Sequence, residues 1–263
     1  MITSTANAQV KEVRRLRERK VRQESGLYYI EGLRIVIEAI QQHQAIDSLI
    51  VAPELLTSPI GRQAVAEQTK LGMQVLEVSE SVFKNFAIKE NPQGIAAVVR
   101  QHWIPLTELV PSKEDLYIAL DAVQDPGNLG TILRTSDAVG GKGVILLDHS
   151  TDPFDLATVR GSMGAIFSQQ LVKATLAEFG EWKKRCKCKV IGTSGAATHT
   201  YHQYPFSMPM VLLMGSERQG LTEAHVALCD DVVKIPMVGR SDSLNLAIAT
   251  AVVLYEIFNQ THP

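Results

Sequence analysis

The sequence predicts an α/β protein of two domains, the second built on a parallel sheet, and three observations carry that expectation. Apolar runs of strand length alternate with apolar residues at helical spacing along almost the whole chain. A stretch from Trp103 to Glu114, carrying Pro105 and Pro111, interrupts the alternation. The runs beyond it are more continuously apolar than those before it, as strands covered on both faces require. With 263 residues the chain is long enough for one large or two small domains with real cores. We read a small α/β domain over residues 1–103, a linker over 104–114 and the parallel-sheet domain over 115–263.

In the first domain, Asn7 to Gln23 reads as one charged helix whose thin apolar side is Val10, Val13, Leu16 and Val21. Tyr28-Tyr29-Ile30 suggests a short strand, Glu31-Gly32 a break, and Leu33, Val36, Ile37 and Ile40 a helix. Ile46 to Val51 is a second strand, and Pro53 opens a helical region reaching about Leu71. Gln74 to Val78 is a third strand, a short helix runs from Ser79 to about Phe86, and Gly94 to Val99 is a fourth strand. No nucleophile, acid–base pair or metal pattern stands out here, so the expected role is binding or plain structure.

In the second domain the expected strands are Leu116 to Leu120, Gly143 to Leu147, Lys189 to Ile191, Met210 to Met214 and Val232 to Ile235. Helices are expected near Leu129–Val139, Asp155–Met163, Leu176–Arg185 and Thr222–Leu228. A final helix, Ser243 to about Phe258, is expected to bury Leu244, Ile248, Ala251, Tyr255 and Phe258.

Composition narrows the function. No apolar run reaches membrane-spanning length and no signal-peptide pattern is present, so no membrane role is expected. Three cysteines do not make a disulfide framework, and Cys186-x-Cys188 has the wrong spacing for a zinc clamp. A reduced, cytoplasmic setting and no metal follow as expectations. The net charge of −2 gives no global basic field, but Lys11, Arg14, Arg15, Arg17, Arg19, Lys20 and Arg22 face only Glu12 and Glu18. That segment is either a solvated amphipathic helix or a phosphate-binding one; its two glutamates argue against a mitochondrial leader.

Three loops at carboxyl ends of strands in the second domain carry unusual polar residues. The first is Asp125-Pro126-Gly127-Asn128-Leu129-Gly130-Thr131-Ile132-Leu133-Arg134, a strand–turn–helix junction that is neither a dinucleotide fingerprint nor a Walker loop. The second is Gly215-Ser216-Glu217-Arg218-Gln219-Gly220-Leu221, and the third runs from Ile235-Pro236-Met237 to Ser243-Leu244-Asn245. Taken singly, each has a bland reading. Asn128 caps a helix and Arg134 is solvated; Glu217 leads into the next helix; Ser243 is an N-cap. Asn245 fits that pattern poorly, and three such loops at one sheet edge point to a ligand site.

Together the three loops resemble the motifs of the SpoU/TrmH family of RNA 2′-O-ribose methyltransferases, in the SPOUT superfamily. Glu31-Gly32, Glu38-Ala39 and Asn91-Pro92-Gln93-Gly94 resemble, more weakly, the ribosomal-protein-like substrate-binding domain of some members. The resemblance implies a C-terminal segment threaded into a deep trefoil knot, a homodimer through the second domain, and S-adenosylmethionine as methyl donor. By position it implies that Thr193, Gly215, Ile235, Met237 and Leu244 hold the cofactor, and that Asn128, Arg134, Glu217, Ser243 and Asn245 are catalytic. Arg160 and Ser162 match a further polar segment lining the site. Arg14, Arg15, Arg34 and Arg160 are the expected RNA contacts, with ribosomal RNA favoured over transfer RNA.

Methyl transfer to a ribose hydroxyl needs alignment and removal of a proton. No His or free carboxylate in the motifs is an obvious base. Two roles are open to Arg134: a base with a pKa depressed by burial, or a charged donor to the forming alkoxide while water takes the proton. The competing classes are a non-catalytic RNA-binding or ribosome-assembly factor and an unrelated α/β nucleotide-binding transferase. The intact polar residues argue against the former, and the missing phosphate loops against the latter.

Overall fold

The computed structural model describes residues 1–262 except Lys89 and Lys187. In chain order the elements begin α1 (Ala8–Arg15), α2 (Arg19–Ser25), β1 (Leu27–Glu31), α3 (Leu33–Gln41), β2 (Ile46–Val51), α4 (Pro59–Lys70), β3 (Val75–Glu77), α5 (Glu80–Phe86) and β4 (Ile95–Arg100). They continue β5 (Leu116–Asp121), α6 (Pro126–Ala138), β6 (Gly143–Leu147), α7 (Leu156–Ser162), β7 (Gln170–Ala174), α8 (Leu176–Cys186), β8 (Lys189–Thr193) and β9 (His199–Thr200). β10 (Met210–Met214), α9 (Glu223–Val226), β11 (Asp231–Lys234) and α10 (Leu246–Thr261) complete the chain. The described residues form two compact units: Met1–Gln101 with Phe154–Phe167, and His102–Pro153 with the chain from Ser168 onward.

The first unit is a four-stranded mixed sheet among the described residues, ordered β1-β4-β2-β3, with β4 antiparallel to both neighbours and β2 parallel to β3. One side of its core gathers Val10, Val13 and Leu16 with Phe83 and Phe86. The expected single N-terminal helix is two helices. Asn7 caps α1, with its side chain accepting from Gln9 and Val10 N–H, and the chain breaks before Arg19. The break frees the Leu16 and Arg17 carbonyls, and the buried Arg22 guanidinium donates to both, at 2.9 and 2.8 Å. Arg22 also reaches Asp155 at 3.3 Å, and Tyr28 packs on Phe154. These contacts hold 154–167 in this unit, whereas its place in the sequence puts it in the second. The helical region expected from Pro53 begins later, at Pro59, with Ser58 as its N-cap.

In the second unit, seven strands among the described residues run in the order β7-β6-β5-β10-β8-β11-β9, every neighbouring pair parallel. β5, β6 and β10 are buried along their whole length, as a sheet covered on both faces demands. On one face Tyr117, Ile145, Val172, Val190 and Leu213 pack with Phe179 and Trp182 of α8. Leu106 and Leu109 belong to that same cluster, and Trp182 Nε1 donates to the Leu109 carbonyl at 2.8 Å. Part of the expected linker therefore contributes to the core.

α10 corrects the expectation in phase. Asn245, not Ser243, is the N-cap, and the helix buries Leu246, Ala247, Thr250, Val253, Leu254 and Ile257. Leu244, Ile248 and Tyr255 remain 39%, 53% and 49% exposed. No helix among the described residues is long and apolar enough to cross a membrane.

Candidate active site

Because the strands are parallel, their carboxyl ends share one edge, where loops can converge on a ligand. β5, β10, β8 and β11 are successive neighbours there, ending at Asp121, Met214, Thr193 and Lys234. The three motif loops follow three of these strands, and Thr193 ends the fourth.

One chain of side-chain hydrogen bonds ties the three loops together. Glu217, after β10, accepts from the Gln124 N–H (3.3 and 3.2 Å to its two oxygens) and the Asp125 N–H (3.4 Å). Its Oε1 also accepts from Asn128 Nδ2 at 3.2 Å. Asn128 Oδ1 in turn accepts from Asn245 Nδ2 at 3.0 Å. Local structure sets each partner. Pro126 opens α6, and Asp125 caps it by accepting from the Asn128 N–H at 2.7 Å. Asn245 caps α10, its Oδ1 accepting from Ala247 and Ile248 N–H. The Glu217 loop folds back on itself, with Gly220 N–H donating to the Ser216 carbonyl at 3.0 Å. A Cβ on Gly215 would lie 2.1 Å from the Gly220 carbonyl carbon, so only glycine allows that closure.

A cleft of about 500 Å³ is lined by Ala122, Gln124 and Asp125 from one loop and by Ser216 to Gln219 from the other. Among the expected cofactor residues, Thr193 and Ile235 are half-buried at the ends of neighbouring strands, and Gly215 is buried. Met237 and Leu244 are 37% and 39% exposed on the third loop. Backbone groups at three adjacent strand ends, next to exposed apolar side chains, are a donor set that fits a nucleoside better than a metal or a free phosphate. Among the described residues no cluster of three His, Cys, Asp or Glu side chains could hold a metal ion.

Other expected site residues are not members of the hydrogen-bonded chain. Arg134 is exposed, six residues and about 9 Å along the helix axis from Asn128. Ser243 Oγ donates to its neighbour Asp242 at 3.1 Å. Arg160 and Ser162 are on α7 in the first unit; Ser162 is fully buried and donates to the Val159 carbonyl of its own helix. Arg14, Arg15 and Arg34 are exposed on that unit, with Arg14 donating to Asn85 at 3.2 Å.

Sequence reasoning missed Gln124, whose backbone holds Glu217, and the buried pair Asp121–His225. His225 Nε2 lies 3.3 Å from Asp121 Oδ1, while Nδ1 accepts from the Thr222 N–H in a capping box on α9. Burial raises the Asp121 carboxyl above its usual range; His225 opposes the shift and Asp148 adds to it. Nothing in the spacing of residues 121 and 225 signals this pairing. Burial also pushes the Cys188 and Cys229 thiols up, to about 12 and about 11, which makes them poor nucleophiles.

Comparison with known proteins identifies the family. Residues 115–255 match the SpoU rRNA Methylase family, and residues 7–97 match the MRM3-like substrate binding domain. The chain is 32% identical to the Bacillus subtilis 23S rRNA (guanosine(2553)-2′-O)-methyltransferase RlmP, over 97% of this chain and 98% of that protein. It is 30% identical to the 23S rRNA (uridine(2479)-2′-O)-methyltransferase of Streptomyces viridochromogenes, over 93% of this chain and 87% of that one. The crystal structure of an AdoMet-bound rRNA methyltransferase from Sinorhizobium meliloti superposes with a TM-score of 0.92 at 38% identity, covering 100% of this chain and 98% of the other. With residues 115–255 matched by the family and a relative 32% identical over 97% of its length, the chain belongs to the SpoU rRNA methylase family.

Proposed function

We propose that the chain transfers a methyl group from S-adenosylmethionine to a ribose 2′-hydroxyl of ribosomal RNA, in the large subunit, and that it works in the cytoplasm. The observation that carries this reading is the Glu217–Asn128–Asn245 chain, three side chains from three loops bonded at one edge. The names of the Bacillus and Streptomyces relatives support the acceptor, and the Sinorhizobium structure supports the donor.

When bound, S-adenosylmethionine would supply a methyl on positively charged sulfur, open to displacement by an oxygen with the neutral thioether as leaving group. Thr193, Gly215, Ile235, Met237 and Leu244 would hold it through backbone groups and apolar contact. Asn128 and Asn245 hold the ribose, while Glu217 and Ser243 orient their neighbours. Arg134 has donors and no acceptor, so it donates to the 2′-oxygen as negative charge grows there, and water removes the proton. Arg14, Arg15, Arg34 and Arg160 take phosphates.

The second unit is also read as a homodimerising, knotted domain. α10 is apolar on the face that packs inward and on the face of Ile248 and Tyr255, and a helix apolar on both sides needs cover on both. Its return supports the knot: β11 lies beyond β10 and β8 from β5, yet α10 packs on α6, which follows β5. Sedimentation of the wild type should give two copies, and Ile248→Glu with Tyr255→Glu one; a monomeric wild type would remove the dimer.

The test of function is transfer of labelled methyl from S-adenosylmethionine to unmodified ribosomal and transfer RNA, then digestion to nucleosides. Label on a ribose of large-subunit RNA is expected. Label on a base would overturn the acceptor, and label in transfer RNA alone would overturn the substrate.

A further inference from the structure

The first unit contains an open, mainly apolar groove. Ile30 and Val159, at 1% and 3% exposure, form its buried wall, and Ile88 and Met163, at 37% and 42%, stand at its mouth. Arg34 and Arg160 also line it, and both are exposed. Two polar side chains in the lining are fixed in place. Glu31 accepts from the Ile88 N–H at 2.6 Å and from the Tyr29 hydroxyl at 3.2 Å. Gln93 Oε1 accepts from the Leu33 N–H at 3.0 Å, which commits its oxygen and leaves its amide nitrogen to donate. Two residues of the lining have positive φ. Gly32 turns the chain at φ 113°, and Met163 ends α7 in the left-handed region at φ 54° with its side chain exposed.

These features select an occupant. The apolar walls and the Glu31 carboxylate disfavour a phosphate inside, while the two guanidinium groups favour phosphates at the rim. An unstacked nucleotide matches that division: flat apolar faces, a polar edge and flanking anions. We propose that the groove takes one splayed-out base of the RNA substrate, with its faces between the apolar side chains, its edge accepting from Gln93, and neighbouring phosphates on Arg34 and Arg160. The proposal rests on the reading of the chain as an RNA-modifying enzyme and adds a second point of contact, remote in sequence from the methyl-transfer motifs.

The test is a cycle between protein and RNA. The full chain and its Ile88→Asp and Met163→Asp variants are compared for binding to a fragment of large-subunit RNA transcript. Both sites are exposed, and aspartate tolerates the left-handed backbone at 163. Each unpaired base of the fragment is replaced in turn by an abasic ribose. One abasic position should weaken wild-type binding by about 10-fold, with no further loss in either variant. The variants should bind the intact fragment as weakly as the wild type binds that abasic RNA, with S-adenosylmethionine affinity unchanged. Unaltered RNA binding by both variants, or full additivity at every abasic position, would overturn the proposal. Methyl transfer without coupling sinks the groove and keeps the reaction; coupling without methyl transfer does the reverse.

Discussion

Replacing Asn128 by aspartate tests whether Glu217 acts through the amide it touches. In the wild type Asn128 Nδ2 donates to Glu217 Oε1 at 3.2 Å. Asn128→Asp removes that donor and sets two carboxylates against each other. At this separation the repulsion is about 1 kcal/mol with a water-like dielectric and about 5 kcal/mol with the effective dielectric of a protein surface. Glu217 is exposed and Asn128 half-buried, so the low end applies, about 1–2 kcal/mol. The broken hydrogen bond adds about 1 kcal/mol. The sum, about 2–3 kcal/mol, is a fall of roughly 30- to 150-fold in kcat/KM. Asn128→Ala loses the bond without the repulsion, but also loses the acceptor for Asn245, so it serves as the reference with no new carboxylate to titrate. The pair of carboxylates in the aspartate variant must share a proton at a raised pKa, so lowering the pH removes the repulsion and restores a donor. Measured from pH 8.5 to 5.5, a range of about three units centred near neutrality, the ratio of Asn128→Asp to wild type should rise as pH falls, and that of Asn128→Ala should stay flat. Equal losses at every pH for both variants would refute the coupling.

Arg134→Lys should lower kcat by about 100-fold or more with S-adenosylmethionine affinity unchanged, because an ammonium cannot reproduce the planar fork of donors; single-turnover methyl transfer and calorimetric cofactor titration check it. Arg22→Met leaves the Leu16 and Arg17 carbonyls and Asp155 without their donor, which should cost about 3 kcal/mol and lower the first unit's melting transition by on the order of 10 °C. Arg14→Gln with Arg15→Gln should reduce the slope of log RNA affinity against log salt by about 0.7 for each phosphate no longer neutralised. Deleting the N-terminal segment is a poorer test, since Val10, Val13 and Leu16 are core residues. Asp121 has its carboxyl raised by burial, so the native state binds that proton more tightly than the unfolded chain does. Its contribution is complete below about pH 4 and declines as pH rises through the raised value. In urea melts Asp121→Asn should lose that decline and be less pH-sensitive than the wild type.

The strands most legible in the sequence are those whose environment is uniform. β5, β6 and β10 are buried at every position, so composition alone marks them. β7 is hard to see in the sequence because it lies at the edge of the sheet and exposes Gln170 and Lys173, which interrupt its apolar run without two-residue alternation, and β9 has only two residues. The break between α1 and α2 has no local signal, since it is held by Arg22 folding back on two carbonyls and by Asp155, which is 133 residues away. The stripe Leu244, Ile248, Ala251, Tyr255 has the period of the helix but does not mark its inward face. α10 is apolar on two sides, and periodicity cannot say which of them meets the sheet.

The residues of the candidate site are legible for a different reason: their bland and functional readings use different atoms of the same side chains. Asn245 caps α10 through Oδ1 and reaches Asn128 through Nδ2. The cap fixes the plane of the amide, and the nitrogen is then aimed without further ordering cost. Serine or aspartate would cap as well as asparagine, but an ionised aspartate has no donor to offer Asn128. Asn128 repeats the device one step on. Its backbone N–H is held by the Asp125 cap, while its side chain links Glu217 to Asn245. Two helix starts are thereby joined through amides that neither helix requires, and stability of the caps alone gives no reason for those amides to meet. Their meeting is the part of the sequence pattern that capping leaves over, and it lies where the three loops converge.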